Sequence, residues 1–187
     1  LTDEDELEIE ALMDTAGPGG GAVERAEDAA VGYVDHVVEH FGSALDGLRI
    51  AVDCANGAFS GVAPAVFERL GADVTPIASD PDGTNINVGC GATDLSLLRS
   101  TVRAGAYDLG VAFDGDGDRM LAVDASGEPV DGDQILAICA LALEPELVVV
   151  TTMTNLGFHR LMEEHGIRVV TTDVGDRYVL EALRNEG

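Results

Sequence analysis

Short apolar runs alternate with amphipathic or longer apolar stretches along most of the chain. Runs without helical spacing are typical of buried strands, and they occupy residues 49–53, 72–77, 108–113, 120–124, 129–130, 147–152 and 167–172. The stretches between them are typical of helices and occupy residues 3–14, 23–41, 60–70, 95–105, 134–143, 156–165 and 178–184. This alternation predicts an α/β fold, with a mainly parallel mixed sheet flanked by helices.

Single residues refine this prediction at three places. Ser60 is expected to cap the helix that follows it, because a hydroxyl can accept a hydrogen bond from a free N–H of the first turn. The pair Ser126 and Gly127 predicts a tight turn, and therefore one antiparallel exception in the sheet. Residues 134–143 carry few polar side chains, so this helix is expected to be buried.

Two segments interrupt the alternation. Residues 17–21 are glycine and proline, which break regular structure and predict a linker. Residues 144–146 predict a boundary, after which the strand and helix patterns restart. The unit over 146–187 has only two strand patterns. A two-stranded sheet is too small to be buried on both faces, so we expect a truncated second α/β unit.

The charge balance limits the classes of partner. The chain has 35 acidic and 10 basic residues, a formal net charge of −25, and every basic residue apart from histidine is arginine. Such a surface repels nucleic acid and anionic membranes. No apolar run approaches the length of a membrane span. The three well-separated cysteines argue against a disulfide framework and favour a reducing cytoplasm, with each thiol a small buried side chain.

The most unusual chemistry lies just after the strand pattern 108–113. Asp114, Asp116 and Asp118 alternate with glycines, and Arg119 follows them. Glycine tolerates backbone conformations that a side chain opposes, which would let the three carboxylates converge on one point. Hard oxygen ligands in this arrangement suit Mg²⁺, and the arginine suits a phosphoryl group. The sequence therefore predicts a magnesium and phosphate site in this loop.

Other interpretations of these patterns are weaker. An EF-hand loop also begins with alternating aspartates, but it needs glycine and glutamate where this chain has Arg119 and Ala125. A solvated acidic turn is the plainest alternative. Elsewhere, His36 and His40 in a His-x-x-Glu-His pattern would share one helix face and suggest zinc, but a zinc hydrolase needs a third ligand and a cleft.

The acidic loop resembles the metal-binding loop of the α-D-phosphohexomutases. Five further motifs occur in the order found in that family and resemble its bacterial phosphoglucosamine mutase branch: Pro81–Asn87, Cys90–Thr93, Val130–Gln134, Thr154–Gly157 and Val174–Val179. One departure is Thr154, where this branch usually has serine. The resemblance covers most of residues 28–187.

The resemblance implies a domain organisation. Residues 1–27 would be the tail of a preceding domain with its linker, residues 28–143 the second phosphohexomutase domain, and residues 146–187 the start of the third. The catalytic serine of the family belongs to the preceding domain and has no counterpart here. Since the first residue is Leu1, we expect a piece of a longer protein whose other domains are its partners.

The resemblance also implies an activity. The parent protein would interconvert glucosamine 6-phosphate and glucosamine 1-phosphate through a phosphoserine and a bisphosphate intermediate, in amino-sugar and cell-wall precursor metabolism. Mg²⁺ would be held by the three loop aspartates, Arg119 would support catalysis, and Arg177 and Gly175 would contact the hexosamine phosphate. A phosphoglucomutase or phosphomannomutase is the enzymatic alternative. Taken alone, these residues would form a magnesium-binding module without catalysis.

Overall fold

The computed structural model describes residues 2–13, 15, 17, 19–22, 24, 29–42 and 44–186. By their internal contacts the residues divide into two units, 1–32 and 33–187. In the first unit, helix α1 (Asp3–Met13) leaves its apolar Leu7 and Leu12 exposed. Helix α2 (Ala29–Phe41) begins in the first unit, and most of the predicted helical residues before it lie outside the described residues.

The second unit contains the strands and the remaining helices. Its strands are β1 (Arg49–Asp53), β2 (Asp73–Ile77), β3 (Leu109–Phe113), β4 (Met120–Asp124), β5 (Pro129–Val130), β6 (Leu147–Thr151) and β7 (Arg168–Thr172). Its helices are α3 (Ala63–Arg69), α4 (Ser96–Ala104), α5 (Gly132–Leu143), α6 (Leu156–Glu164) and α7 (Asp176–Glu186), with a 3₁₀ turn at Ala58–Gly61.

Five strands form a mixed sheet in the order β2-β1-β3-β4-β5. Strand β1 is parallel to both of its neighbours, whereas β3/β4 and β4/β5 are antiparallel. The predicted α/β class with a mixed sheet is therefore confirmed, and the turn at Ser126-Gly127 does connect two antiparallel strands. The β3/β4 pair adds a second antiparallel connection that the pattern did not predict. As a result, the acidic loop is the tip of a β3/β4 hairpin.

Helices cover both faces of this sheet because β1 and β3 are apolar on both sides. Ile50, Val52 and Val111 form one cluster, against which Phe59 and Phe67 pack. The alternate residues, Ala51 and Ala112, belong to a second cluster, together with Leu98 and Val102 of α4 and Val123 of β4. A Cβ on Gly110 of β3 would lie 2.8 Å from Val102, so α4 packs directly on the backbone of that strand.

Two helix predictions are wrong in detail. Ser60 does not cap a helix: its hydroxyl donates to the carbonyl of Gly57 in the 3₁₀ turn, and α3 begins later, with Pro64 in its first turn. Helix α5 is not buried, since Ala140 is its only fully buried residue and Ile138 is 60% exposed. An unpredicted capping box between Asp131 and Gln134 begins α5, and it is a purely local signal.

Strands β6 and β7 are parallel and form a separate two-stranded sheet. Ala140 of α5, Phe158 and Met162 of α6, and Val148 and Val150 of β6 form its core. Helix α7 contacts both strands but has no fully buried residue. Helix α5 contacts β4 as well as α6, so it connects the two sheets. Across the described residues, no helix combines the length and the apolar character that crossing a bilayer requires.

The packing of α4 gives a first prediction. Leu98→Ala should lower the free energy of unfolding by about 2–5 kcal/mol, because it leaves a cavity where a fully buried side chain packed between α4 and the sheet. Leu97→Ala, at a neighbouring position that is 39% exposed, is the matched control and should cost much less. Urea unfolding of both variants measures the difference, and equal losses would contradict this assignment of the core.

The charge of the chain gives a second prediction. With a net charge of −25, the acidic side chains of the folded protein repel one another, and salt screens that repulsion. Raising NaCl from about 0.1 M to about 1 M shortens the screening length from about 10 Å to about 3 Å, so the Tm measured by circular dichroism should rise. Sorbitol at equal osmolality is the control for excluded-solute effects. A Tm that stays constant or falls with salt contradicts the prediction.

Candidate metal centre

The acidic loop lies at the edge of the mixed sheet where β1, β2 and β3 end. Because these strands are parallel, their carboxyl ends meet there, and β4 begins at the same edge since it runs the opposite way. In open α/β sheets, ligands bind beyond the carboxyl ends of the strands. The β3/β4 hairpin therefore presents its tip at the edge where a ligand is expected.

Asp114, Asp116 and Asp118 converge as the alternating pattern predicted. Each offers one carboxylate oxygen, and the three oxygens lie within 4.8 Å of one another. Asp114 is buried, with 3% of its surface exposed, whereas Asp116 and Asp118 are exposed. The cluster thus has one member fixed in the protein and two that face solvent. Among the residues that the structure describes, no other group of three acidic, histidine or cysteine side chains has this geometry.

The two oxygens of Asp114 have different surroundings. Oδ1 accepts hydrogen bonds from the backbone N–H groups of Gly117 and Arg119, each at 3.1 Å. Oδ2 is buried and accepts no aligned hydrogen bond, and it forms an ion pair with Nε of Arg119 at 2.8 Å. The loop backbone therefore holds the carboxylate by one oxygen, and the other faces the positive charge of Arg119.

The contacts of Asp114 favour its ionised form. Burial raises the pKa of this carboxyl, but the backbone N–H and the guanidinium of Arg119 together outweigh it, so the pKa lies below its usual range. Arg119 itself is largely exposed and also lies 3.4 Å from Oδ1 of Asp118. Its planar guanidinium is thus held at the cluster and remains accessible from solvent.

Gly115 and Gly117 of the loop lack a side chain for two different physical reasons. Gly117 has a φ of +80°, a left-handed conformation that disfavours a side chain, and a Cβ there would also overlap the ring of Phe59. Gly115 needs no such conformation, but a Cβ would lie 2.7 Å from Ile86 Cδ1 and 2.9 Å from Asn87 Nδ2. Backbone freedom, which the sequence suggested for both positions, explains Gly117 alone.

A second buried carboxylate lies behind the loop. Asp53, the last residue of β1, is fully buried and accepts hydrogen bonds from the N–H groups of Ala55 at 3.0 Å and Gly91 at 2.9 Å. Burial raises the pKa of Asp53, and the two backbone N–H groups oppose that shift. The neighbouring Gly57 N–H donates to the carbonyl of Cys54, so this loop is built by its own backbone.

The segment 80–91 forms the wall of the site beside Gly115. Asn85 fixes its shape, since the side chain accepts from the N–H of Asp82 and donates to the carbonyl of Asp80. The Asn87 side chain differs, because its Oδ1 is buried without a hydrogen-bond partner. Only its backbone N–H contributes, by donating to the carbonyl of Ala55 at 2.9 Å.

A cleft of about 380 Å³ opens beside the acidic cluster. Its lining combines two members of the site with apolar and small residues, namely Asp114, Arg119, Ala92, Thr93, Met120, Leu121 and Gly132. Ala92 and Gly132 belong to the motifs Cys90–Thr93 and Val130–Gln134, but their place in this lining depends on the tertiary fold. The cleft offers room for a small polar ligand next to the carboxylates.

Arg177 and Gly175 lie elsewhere, at the junction of β7 and α7. The guanidinium of Arg177 lies over the ring of Tyr178, 4.8 Å from its centroid, and donates to its hydroxyl at 2.9 Å. A Cβ on Gly175 would lie 3.1 Å from the same ring. These contacts are local to the junction, and substrate contact by the two residues stays a prediction.

Histidine and cysteine do not add a second centre among the described residues. His36 and His40 belong to no group with a third acidic, histidine or cysteine ligand, so the zinc interpretation lacks the ligand it needed. Cys54 and Cys90 are buried thiols as predicted, and burial, with the nearby Asp53, raises the pKa of Cys54 to about 12. Cys139 is exposed on α5, contrary to prediction.

Two models of one protein family match most of the chain. Residues 31–127 match the family model described as phosphoglucomutase/phosphomannomutase, alpha/beta/alpha domain II, and residues 131–187 match that of domain III. A phosphoglucosamine mutase from Pelotomaculum thermopropionicum is 54% identical over 201 aligned positions, covering 100% of this chain and 45% of that protein. One from Frankia casuarinae is 53% identical, covering 100% and 44%.

Solved structures show the same fold. A structure from Thermus thermophilus has a TM-score of 0.80 at 24% identity, covering 100% of this chain and 46% of that one. A phosphoglucomutase/phosphomannomutase family protein from Burkholderia thailandensis has a TM-score of 0.77 at 24% identity, covering 98% and 42%. The chain thus spans less than half the length of the curated relatives described above.

The family inferred from the acidic loop and the five motifs is confirmed by these matches, the first of which alone spans more than half of the chain. The chain belongs to the phosphoglucomutase/phosphomannomutase family, the α-D-phosphohexomutases.

Proposed function

We propose that the chain supplies the magnesium- and phosphate-handling part of a phosphoglucosamine mutase. The observation that carries the proposal is the convergence of Asp114, Asp116 and Asp118 at the sheet edge, with Arg119 beside them. The relatives that are 54% and 53% identical in sequence to this chain are phosphoglucosamine mutases. Their names support glucosamine 6-phosphate and glucosamine 1-phosphate as the substrate pair.

The donor set fits Mg²⁺. All three candidate ligands are carboxylates, which are the hard oxygen donors this ion prefers over sulfur or imidazole. The buried Oδ2 of Asp114 accepts no aligned hydrogen bond and is paired with Nε of Arg119, so it already faces a positive charge, as a ligand of a cation would. Two exposed carboxylates leave the open side of such a site to water or phosphate. When bound, Mg²⁺ would neutralise negative charge as a phosphoryl group moves.

The residues of the loop would perform distinct tasks. Asp114, already ionised and fixed through Oδ1, would provide the rigid ligand, and the exposed Asp116 and Asp118 would complete the set. Arg119 would support catalysis by facing phosphate oxygens with its planar guanidinium, since it is exposed and held at the cluster. Without a cation, the three carboxylates would repel a phosphate.

The nucleophile belongs to another part of the proposed whole protein. In the family, a phosphoserine donates its phosphoryl group to the sugar, and the bisphosphate formed returns its other phosphate to the serine. We assign residues 1–27 to the tail of the serine domain, 28–143 to the second domain and 146–187 to the start of the third. Together these would form a cytoplasmic enzyme of amino-sugar and cell-wall precursor metabolism, with Arg177 and Gly175 near the hexosamine phosphate.

A different hexose phosphate is the main alternative. The matching family models are named for phosphoglucomutase and phosphomannomutase, so glucose and mannose phosphates are the substrates to test beside the amino sugar. Alone, the chain would bind Mg²⁺ without turnover. Assaying the isolated chain with sugar phosphates therefore tests the mechanism. Turnover by this chain alone would contradict the proposal that another domain supplies the catalytic serine.

Metal binding is predicted to depend on Asp116. Asp116→Asn removes one of three ligand charges and should weaken Mg²⁺ binding by about tenfold or more, measured by isothermal titration calorimetry. The titration is run at about 0.15 M salt, where a screening length of about 8 Å suppresses diffuse attraction to the acidic surface.

Glu163→Gln is the matched control for this titration, since it removes one negative charge from α6, outside the cluster. It should keep the wild-type affinity. Equal Mg²⁺ binding by the wild type and Asp116→Asn would show that the ion is held by surface charge in general, which contradicts a site in the loop.

Activity is predicted when the chain is placed in a whole enzyme. A chimera carries these residues in place of the aligned segment of the Pelotomaculum phosphoglucosamine mutase. It should interconvert glucosamine 6-phosphate and glucosamine 1-phosphate, and Asp116→Asn in the chimera should lower kcat by about 100-fold or more. Coupled assays with glucosamine, glucose and mannose phosphates measure kcat/KM for each.

The chimera with Glu163→Gln should retain its activity and thus controls for the loss of a charge. A chimera that folds but prefers glucose or mannose phosphate would reject the amino-sugar assignment and leave the family assignment intact. Full activity of the Asp116→Asn chimera would instead reject the role of the loop.

A further inference from the structure

The carbonyls of the two residues on either side of Asp114 are both held from outside the hairpin. The carbonyl of Phe113, on one side, accepts a hydrogen bond from the N–H of Ala92 at 2.8 Å. The carbonyl of Gly115, on the other side, accepts one from the N–H of Ala58, also at 2.8 Å. The backbone on both sides of the buried carboxylate is therefore fixed by donors from two separate turns.

The backbones on both sides of these two hydrogen bonds also pack closely against each other. A Cβ on Gly91, next to Ala92, would lie 2.7 Å from the carbonyl oxygen of Phe113. A Cβ on Gly57, next to Ala58, would overlap the carbonyl oxygen of Gly115. The backbones of both turns thus pack directly on the backbone of the hairpin, and a shift of either turn would be transmitted to Asp114.

One buried side chain connects the two turns. Asp53 Oδ1 accepts from the N–H of Ala55 in the first turn, and Oδ2 accepts from the N–H of Gly91 in the second. A carboxylate suits this position because it has an acceptor on each oxygen, whereas an amide would direct an NH₂ group at one of the two N–H donors. Asp53 is fully buried, so water cannot replace either contact from the surface.

We propose that Asp53 is a positioning residue for the metal site: by joining the Ala55–Ala58 and Gly91–Ala92 turns, it fixes the carbonyls of the two residues on either side of Asp114 in the geometry that binds the cation. The inference rests on the proposed function, because it assumes that Asp114 is a ligand. It assigns to Asp53 an effect on metal affinity in addition to one on stability.

The test is an Mg²⁺ titration of Asp53→Asn beside the wild type, Asp116→Asn and Leu98→Ala. Removing a direct hydrogen-bond partner of a ligand typically costs about 10- to 100-fold in metal affinity. Asp53 acts on Asp114 through the two turns, so we expect Asp53→Asn to lose about tenfold, the lower end of that range. Leu98→Ala destabilises the same sheet without removing a contact of either turn, so it controls for stability and should keep the wild-type affinity.

Each outcome of the titration decides something different. Wild-type affinity in Asp53→Asn overturns the inference, and so does an equal loss in Asp53→Asn and Leu98→Ala, which would make the effect one of stability. If the wild type and Asp116→Asn bind alike, the metal site itself is rejected. In that case the proposed function fails, and the role of Asp53 in fixing the peptides around Asp114 is decided by hydrogen exchange.

Amide hydrogen exchange of the metal-free wild type also covers the case in which Asp53→Asn does not fold. The N–H groups of Ala55, Ala58, Gly91 and Ala92 are the four donors that join Asp53 and the hairpin to the turns. They should open together, with one free energy of opening, and all four should exchange faster in a folded Asp53→Asn. Independent opening of Ala58 and Ala92 overturns the inference.

Discussion

Three carboxylates meet at the tip of one hairpin, and the backbone must hold them together against their mutual repulsion. Like charges disfavour one another's ionised form, so such a cluster needs compensation. Asp114 receives it from two backbone N–H groups and from Arg119, while the exposed Asp116 and Asp118 face water that screens their charge. A cation would therefore find one ligand already ordered and two able to adjust.

Peptide groups supply much of this order. The turns after β1 and before α4 hold the carbonyls on either side of Asp114, and a side chain at Gly115 would have to displace the side chains of Ile86 and Asn87. Backbone hydrogen bonds of this kind order the hairpin without adding charged side chains to a very acidic protein. Fixed dipoles also keep their direction when charge shifts nearby.

Local sequence patterns are sufficient to predict those parts of the structure that depend on interactions between near neighbours in the chain. The strand over 49–53, the acidic loop and the turn at Ser126-Gly127 are all predictable, because periodicity and turn chemistry act between near neighbours. The failures depend on tertiary contacts. Ser60 lies in a 3₁₀ turn that packs against the hairpin, and the exposure of Ile138 depends on which elements pack against α5. Nothing near Asp53 in the sequence indicates that its partner is Gly91.

The distance along the chain between the parts of the site has a consequence for how the protein folds. Asp53 and Gly91 are 38 positions apart, and the hairpin that they support follows only after β1, β2 and α4. Contacts of such separation form slowly, because loop closure costs entropy before the contact is gained. During synthesis the proposed cation site cannot form until β4 has left the ribosome. Magnesium would then stabilise an assembled sheet by mass action and could not nucleate it.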